Sequence, residues 1–187
     1  MDKKSEILHA ALKLFVLHGF HATPTSGIAR EAGVANGTLF HYFKTKDELI
    51  VALYVHIKKQ LAFCILNEEI AESTIKEQCK SIYVNALNWG LEHPTEFRFV
   101  QQFLSSPYLM MLTPAEIKEQ NNMVIELIKE GIATRQIKAI APDFINSLFI
   151  SHLFGVNQYV LQTNMSVADR NTLIEESFAM IWGMISV

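Results

Sequence analysis

The sequence predicts an all-α protein: three N-terminal helices in a helix-turn-helix arrangement followed by a larger helical body, about nine helices in all. Three observations predict it. No stretch alternates apolar and polar residues over a strand's length. Apolar residues instead recur at helical spacing along most of the chain. The 5 prolines among 187 residues fall between those periodic segments, where proline stops a helix or opens one.

The first helix is expected from about Lys3 to His18. Ile7, Leu8, Ala11, Leu12, Leu14 and Phe15 form its apolar stripe, and Gly19 ends it as a C-terminal cap. Two short helices follow, near residues 25–32 and 36–42, with a tight turn at Gly33. Thr45-Lys46-Asp47-Glu48 is a capping box, in which hydroxyl and carboxylate satisfy free amides at a helix start. That helix should continue to about Asn67, with Leu49, Ile50, Leu53, Tyr54, Ile57 and Leu61 on one face. A helix of about 20 residues spans about 30 Å, enough to join two domains. The boundary is placed at its start, giving domains 1–48 and 49–187. Further helices are expected over 73–92, ending before Pro94, and 95–105, ending before Pro107. Thr113-Pro114-Ala115-Glu116 opens one that runs to about Gly131. Pro142-Asp143 opens one through Leu161, and Ser166-Val167-Ala168-Asp169 opens the last, through Ile185. No repeat of fixed period and no low-complexity segment interrupts the series.

Composition excludes several classes. No apolar run of about 18 residues is present, so no membrane span is expected. The start, Met1-Asp2-Lys3-Lys4-Ser5-Glu6, leads into an amphipathic pattern, which is not a secretory signal, and a cytoplasmic location is expected. Cys64 and Cys79 form no CxxC pair. No HExxH motif, Cys/His cluster, phosphate loop, nucleophile elbow or persuasive carboxylate pair appears. Neither a metal, a cofactor nor an enzymatic activity is therefore expected. The net charge of −3 argues against bulk affinity for nucleic acid. Its distribution points the other way, because residues 1–50 carry +1 and the remainder −4. Four of the 7 histidines also lie in the first fifty residues. The sign suits an N-terminal contact with DNA.

The chemistry concentrates in residues 25–49. In the first short helix Ile28 and Ala29 face inward, while Ala32 and Gly33 permit close helix approach and the turn. Thr25 or Ser26 caps it, leaving a hydroxyl for a phosphate. In the second, Val34, Leu39 and Phe43 are spaced for burial. Asn36, Gly37, Thr38, Phe40, His41 and Tyr42 then point outward. An amide, a hydroxyl, an imidazole and two aromatic rings make a poor surface but a sensible reader of bases. Asn can bond adenine through two hydrogen bonds, and Phe can pack on a thymine methyl. Gly37 removes a side chain where backbone and groove must approach. Lys44 and Lys46 flank the element. Lys46 lies at a helix N-terminus, where the dipole disfavours a cation unless a phosphate is near.

This stretch resembles the signature of the TetR family of transcriptional regulators. The resemblance covers about 45 residues, from the first helix to Leu49. Ile28-Ala29, Ala32-Gly33-Val34, Gly37-Thr38-Leu39, Tyr42-Phe43 and Lys46 with Glu48-Leu49 carry it, preceded by Phe15, Gly19-Phe20 and Ala22-Thr23. It implies that Asn36, Gly37, Thr38, Phe40 and His41 face bases. Thr25, Ser26, Tyr42 and Lys46 would anchor phosphates, with Lys44 beside them. Phe40 stands where a tyrosine is common, which removes a hydroxyl contact. Asn36 stands where a basic or small polar residue is common, so the sequence read would differ.

The resemblance also implies a body that holds a small-molecule pocket and a dimer interface. Trp89, Phe99, Phe103, Tyr108, Met111, Met123, His152 and Asn157 are candidates for lining a pocket for a hydrophobic or amphipathic effector. At helical spacing such residues equally serve as plain core. Phe144, Leu148, Phe178, Ile181, Trp182 and Ile185 make the last two helices apolar enough to pair with a second copy as a four-helix bundle. The expected function is a ligand-responsive repressor that binds a palindromic double-stranded DNA operator as a homodimer. A helical carrier or scaffold without DNA function is the competing class, and an unrecognised enzyme the next.

Overall fold

The computed structural model describes residues 2–65 and 73–187, with the side chains of 117–122 left aside. The described residues form nine α-helices: α1 (Lys3–Ala22), α2 (Thr25–Glu31), α3 (Asn36–Tyr42), α4 (Lys46–Ile65), α5 (Ile75–Glu92), α6 (Pro94–Leu104), α7 (Pro114–Ala133), α8 (Pro142–Gln162) and α9 (Val167–Ile185). A 3-10 turn at Pro107–Met111 was not expected from the sequence. An isolated antiparallel bridge, Ile137 to Ser186, is the one β feature among the described residues. The expected end of the fourth helix near Asn67 lies outside them.

Local chemistry sets most of the helix ends. Glu48 N–H donates to Thr45 Oγ1 at 3.0 Å. The Glu48 carboxylate reaches one residue further back than a capping box requires and accepts from Lys44 N–H at 2.8 Å. Thr113 with Glu116 forms the full reciprocal box at α7, and Ser166 caps α9 through Asp169 N–H. Thr74 with Glu77 makes a further box at α5, which holds the Glu77 carboxyl below its ordinary range.

Gly19 ends the regular part of α1 as expected, with φ 80° and ψ 165°, and one further turn follows the break to Ala22. Thr23, fully buried, ties that turn back by donating its hydroxyl to the Gly19 carbonyl at 2.8 Å and the Leu14 carbonyl at 3.2 Å. A polar side chain thus satisfies carbonyls that a glycine cap would otherwise serve.

The chain packs as two units. The first is residues 1–60 with 93–117; the second is residues 61–92 with 118–187. The packing units therefore run across the boundary expected at residue 48. Most of α4, and all of α6, belong with the N-terminal helices, because their apolar faces are buried there. Leu49, Ile50, Leu53 and Ile57 are buried on α4. An aromatic cluster fills the rest of this core. Phe15, Phe20 and Phe99 pack with centroids 5.4–6.4 Å apart. Tyr54 stacks on Phe103 at 3.9 Å and 8°, and burial pushes its hydroxyl pKa up to about 12.

In the second unit α5, α8 and α9 close around Tyr83, Leu87, Ile145, Phe149, Ile174, Phe178 and Ile181. A buried polar chain crosses this core. Tyr83 Oη lies 2.9 Å from His152 Nδ1 and 2.9 Å from Ser177 Oγ. Ser177 Oγ donates to the Ile174 carbonyl at 2.9 Å. Desolvation lowers the His152 pKa, so burial favours the neutral ring. Cys79 is buried here, its thiol pushed up to about 12 and therefore unreactive, while Cys64 is exposed. No helix among the described residues is long and apolar enough to cross a membrane.

The Gly19 conformation lies where only glycine is comfortable, and nothing within 4 Å would meet an added Cβ. Gly19→Ala should thus lower unfolding stability by about 1–3 kcal/mol through backbone strain alone. Gly37 sits in a helix with equally open space, so Gly37→Ala should leave stability unchanged or raise it slightly. Urea denaturation of the two full-length variants measures the contrast.

Candidate nucleic-acid interface

A seven-residue helix is too short to persist in water unaided, so α2 and α3 take their positions from packing. Ile28 and Ala29 bury one face of α2. Leu39 and Phe43, 0% and 2% exposed, bury one face of α3. Burying two such side chains is worth about 3–6 kcal/mol before entropy is counted. Lys4 on α1 adds a cation over the Phe43 ring at 5.9 Å. Val34, expected to be buried with them, is only half-buried. Gly33, at φ 64°, turns the chain between α2 and α3. Val34 N–H donates to the Ala29 carbonyl at 3.0 Å, which fixes the corner.

With those side chains inward, the opposite face of α3 is open. Asn36, Gly37, Phe40, His41 and Tyr42 are exposed and Thr38 is half-buried. Phe40 and Tyr42 expose 37% and 38% of their surface, a large cost for a seven-residue helix if nothing covers them. The His41 and Tyr42 rings meet edge to face at 5.4 Å.

The phosphate candidates are placed as follows. Thr25 and Ser26 do not cap α2; Pro24 is its N-cap and supplies no side-chain bond. Proline presets the extended backbone that an N-cap needs, which leaves the Thr25 and Ser26 hydroxyls unused as caps. Thr25 is half-buried, Ser26 and Lys44 are exposed, and Lys46 is half-buried. Lys46 Nζ reaches the His21 carbonyl at 3.4 Å, so it is partly held from the protein side. Three of the acidic groups nearby spend their carboxylates locally. Asp2 accepts from Ser5 N–H, Glu48 accepts from Lys44 N–H, and Glu31 pairs with Lys13, which lowers its carboxyl pKa.

The pocket candidates divide between the two units. Phe99, Phe103 and Tyr108 lie in the first. Phe99 and Phe103 are fully buried and committed to ring packing, and Tyr108 packs edge-on against Phe20 at 5.2 Å. Met111 is 49% exposed. In the second unit Trp89 is buried and Met123 is 45% exposed. There His152 is bonded to Tyr83. Asn157 is 3% exposed, yet its side-chain nitrogen has no hydrogen-bond partner.

The dimer candidates also divide. Phe178, Ile181 and Ile185 are buried inside the second unit, and Trp182 stacks on Phe178 at 6.1 Å. Phe178, Ile181 and Ile185 thus pack within their own subunit, while Trp182 stays half-buried. Phe144 is 55% exposed and Leu148 half-buried. The outward apolar groups of α9 are instead Met180 and Met184, at 70% and 48%. Among the described residues no three His, Cys, Asp or Glu side chains cluster as a metal site would.

Comparison with known proteins gives the same assignment from outside. The family model for bacterial regulatory proteins, tetR family, matches residues 7–53, which contain α2, α3 and the turn between them. A fatty acid metabolism regulator protein of Bacillus subtilis is 29% identical over 144 residues, 73% of this chain and 71% of that one. An HTH-type transcriptional regulator of the same organism is 39% identical over 59 residues, 31% of each chain. The crystal structure of a chain from Shewanella sp. PV-4, assigned to the tetR family, is 29% identical, with a TM-score of 0.90 and complete coverage of both chains. These relatives are transcriptional regulators and not enzymes. The exposed face of α3, the anchored corner at Gly33 and these likenesses agree: residues 7–53 carry the DNA-binding domain of the tetR family of bacterial regulatory proteins.

Proposed function

We propose that this regulator is a repressor that binds a palindromic operator as a homodimer and releases it when a small effector binds. In this proposal residues 1–48 read DNA, and residues 49–187 hold effector and partner. The exposed polar and aromatic face of α3 carries the proposal. Asn36, Gly37, Thr38, Phe40 and His41 enter the major groove; Thr25, Ser26, Tyr42, Lys44 and Lys46 grip phosphates. Two copies would set their α3 helices about 34–36 Å apart, one turn of B-DNA.

Asn36→Ala should cost about 1–3 kcal/mol on the operator and relax preference at one base pair. Lys46→Ala should weaken all duplexes alike and flatten the salt dependence by about one charge. Gly37→Ala should weaken operator binding while leaving the fold intact, because its Cβ meets only the DNA. Gel-shift titrations on operator and random duplex, at two salt concentrations, separate the three. Equal losses on both duplexes for Asn36→Ala would remove it from the base-facing set.

The partner surface is better assigned to the outward stripe of α8 and α9 than to their buried faces. Phe144, Ser147, Ser151, Gly155 and Tyr159 are exposed along α8, and Met180, Gly183 and Met184 along α9. Small residues there permit close helix approach, and added side chains at Gly155 or Gly183 would meet nothing in their own subunit. Phe144→Arg and Gly155→Arg should shift the protein to monomer in sedimentation velocity at micromolar concentration, with the helical circular dichroism retained. Ile181→Arg should instead unfold the chain, since it buries an unpaired charge.

For the effector we propose an acidic amphiphile. The Bacillus subtilis relative is named for fatty acid metabolism, as are solved structures at 20–22% identity. Lys58 on α4 is half-buried with no ion-pair partner among the described residues, and desolvation lowers its pKa. A carboxylate would give that ammonium a partner and offset its desolvation. Lys58→Met should therefore weaken release of the operator by long-chain carboxylates by tenfold or more. Release by neutral amphiphiles should not change, as read by gel shift.

A further inference from the structure

Within the first packing unit, α1, α4 and the start of α6 enclose a half-open groove of about 320 Å³. That is the lower end of the range for small-molecule sites. Leu8, Leu12, Leu53 and Ile57 form its floor. All four are buried, so the floor is apolar and continuous with the core. His9, His56, Gln60 and Glu96 stand at its rim. The Gln60 amide and the His56 Nε2 are 3.3 Å apart.

Glu96 is the one formally charged group on the lining. It is half-buried, and among the described residues no hydrogen bond or ion pair engages its carboxylate. A carboxylate beside an apolar floor, partly screened from water, attracts a cation more strongly than one in open solvent. His9, His56 and Glu96 could in principle chelate a metal, but they do not converge as metal ligands do. The spacing leaves room for a larger molecule, with its cationic end at Glu96 and its carbon body along the leucines.

We propose that this groove is a second ligand site, selective for a small organic ammonium ion carrying an alkyl or aryl body. Its ammonium donates to the Glu96 carboxylate, the imidazoles of His9 and His56 accept or cover the remaining polar surface, and the body lies on Leu8, Leu12, Leu53 and Ile57. The occupant touches α1, the helix that packs on both α2 and α3. It thereby braces the scaffold of the reader without entering the reading face. The proposal is independent of the effector proposed above.

The test uses full-length protein and three probes of equal chain length: hexylammonium, hexan-1-ol and hexanoate. Binding is followed by the imidazole Cε1–H resonances of His9 and His56. Hexylammonium should shift both saturably and bind about tenfold tighter than hexan-1-ol, the margin of one charge-assisted hydrogen bond. Hexanoate should leave them unmoved. Glu96→Gln should erase the preference for the amine, and Glu96→Lys should transfer it to hexanoate. Each variant should keep wild-type operator affinity in the absence of probe, which separates failure here from failure of the DNA reader. Equal shifts with amine and alcohol, no shift with the amine, or an unchanged preference in Glu96→Gln would overturn the proposal. If Glu96→Gln does not fold, the comparison of three probes on the wild-type chain decides alone.

Discussion

Burial of Leu39 and Phe43 is the constraint on which the rest depends. A helix of seven residues has too few internal hydrogen bonds to offset the entropy of forming it. α3 exists because Leu39 within it and Phe43, its C-cap, are removed from water. The same two anchors fix its rotation about its own axis. Once positions 39 and 43 point inward, positions 36, 37, 40 and 41 must point out. The composition of the exposed face can thus vary without disturbing the helix, while the anchors must stay apolar and bulky. Gly33 and the kinked, threonine-tied end of α1 serve that geometry by delivering the chain to α2 and α3 at fixed angles.

Much of this was legible in the sequence because its signals are local. Turn chemistry at Gly33, threonine or serine before an acid three residues on, and proline at a helix start each act within one turn. The bounds of α3 and the helix starts at Thr45, Thr113 and Ser166 followed directly. The errors were also local in origin. Beyond the stop that Gly19 marks, the Thr23 hydroxyl, hidden in an unremarkable Ala-Thr pair, ties down one further turn that spacing does not announce. Thr25 and Ser26 have the composition of caps, but Pro24 ahead of them already supplies the required backbone.

What the sequence could not resolve is which partner an apolar stripe meets. Periodicity says that Phe178, Ile181 and Ile185 share a face; it does not say whether that face meets α5 or a second molecule. Likewise Phe99 and Phe103 look the same on paper whether they wall a cavity or pack on Phe20 and Tyr54. The groove at Glu96 was invisible for a related reason. It is assembled from three helices distant in sequence, and none of its residues is unusual alone. Long-range packing decides such matters, and no spacing rule encodes it.

The chain of hydroxyls through the second core has a further consequence. Ser177 has one proton, and it is committed to the Ile174 carbonyl. Tyr83 must then give its own proton to Ser177, which obliges His152 to carry hydrogen on Nδ1. The neutral ring is thereby locked into one tautomer, with the lone pair of Nε2 directed away from the chain. A serine on α9 thus dictates, through a tyrosine on α5, the electronic face that an imidazole on α8 presents.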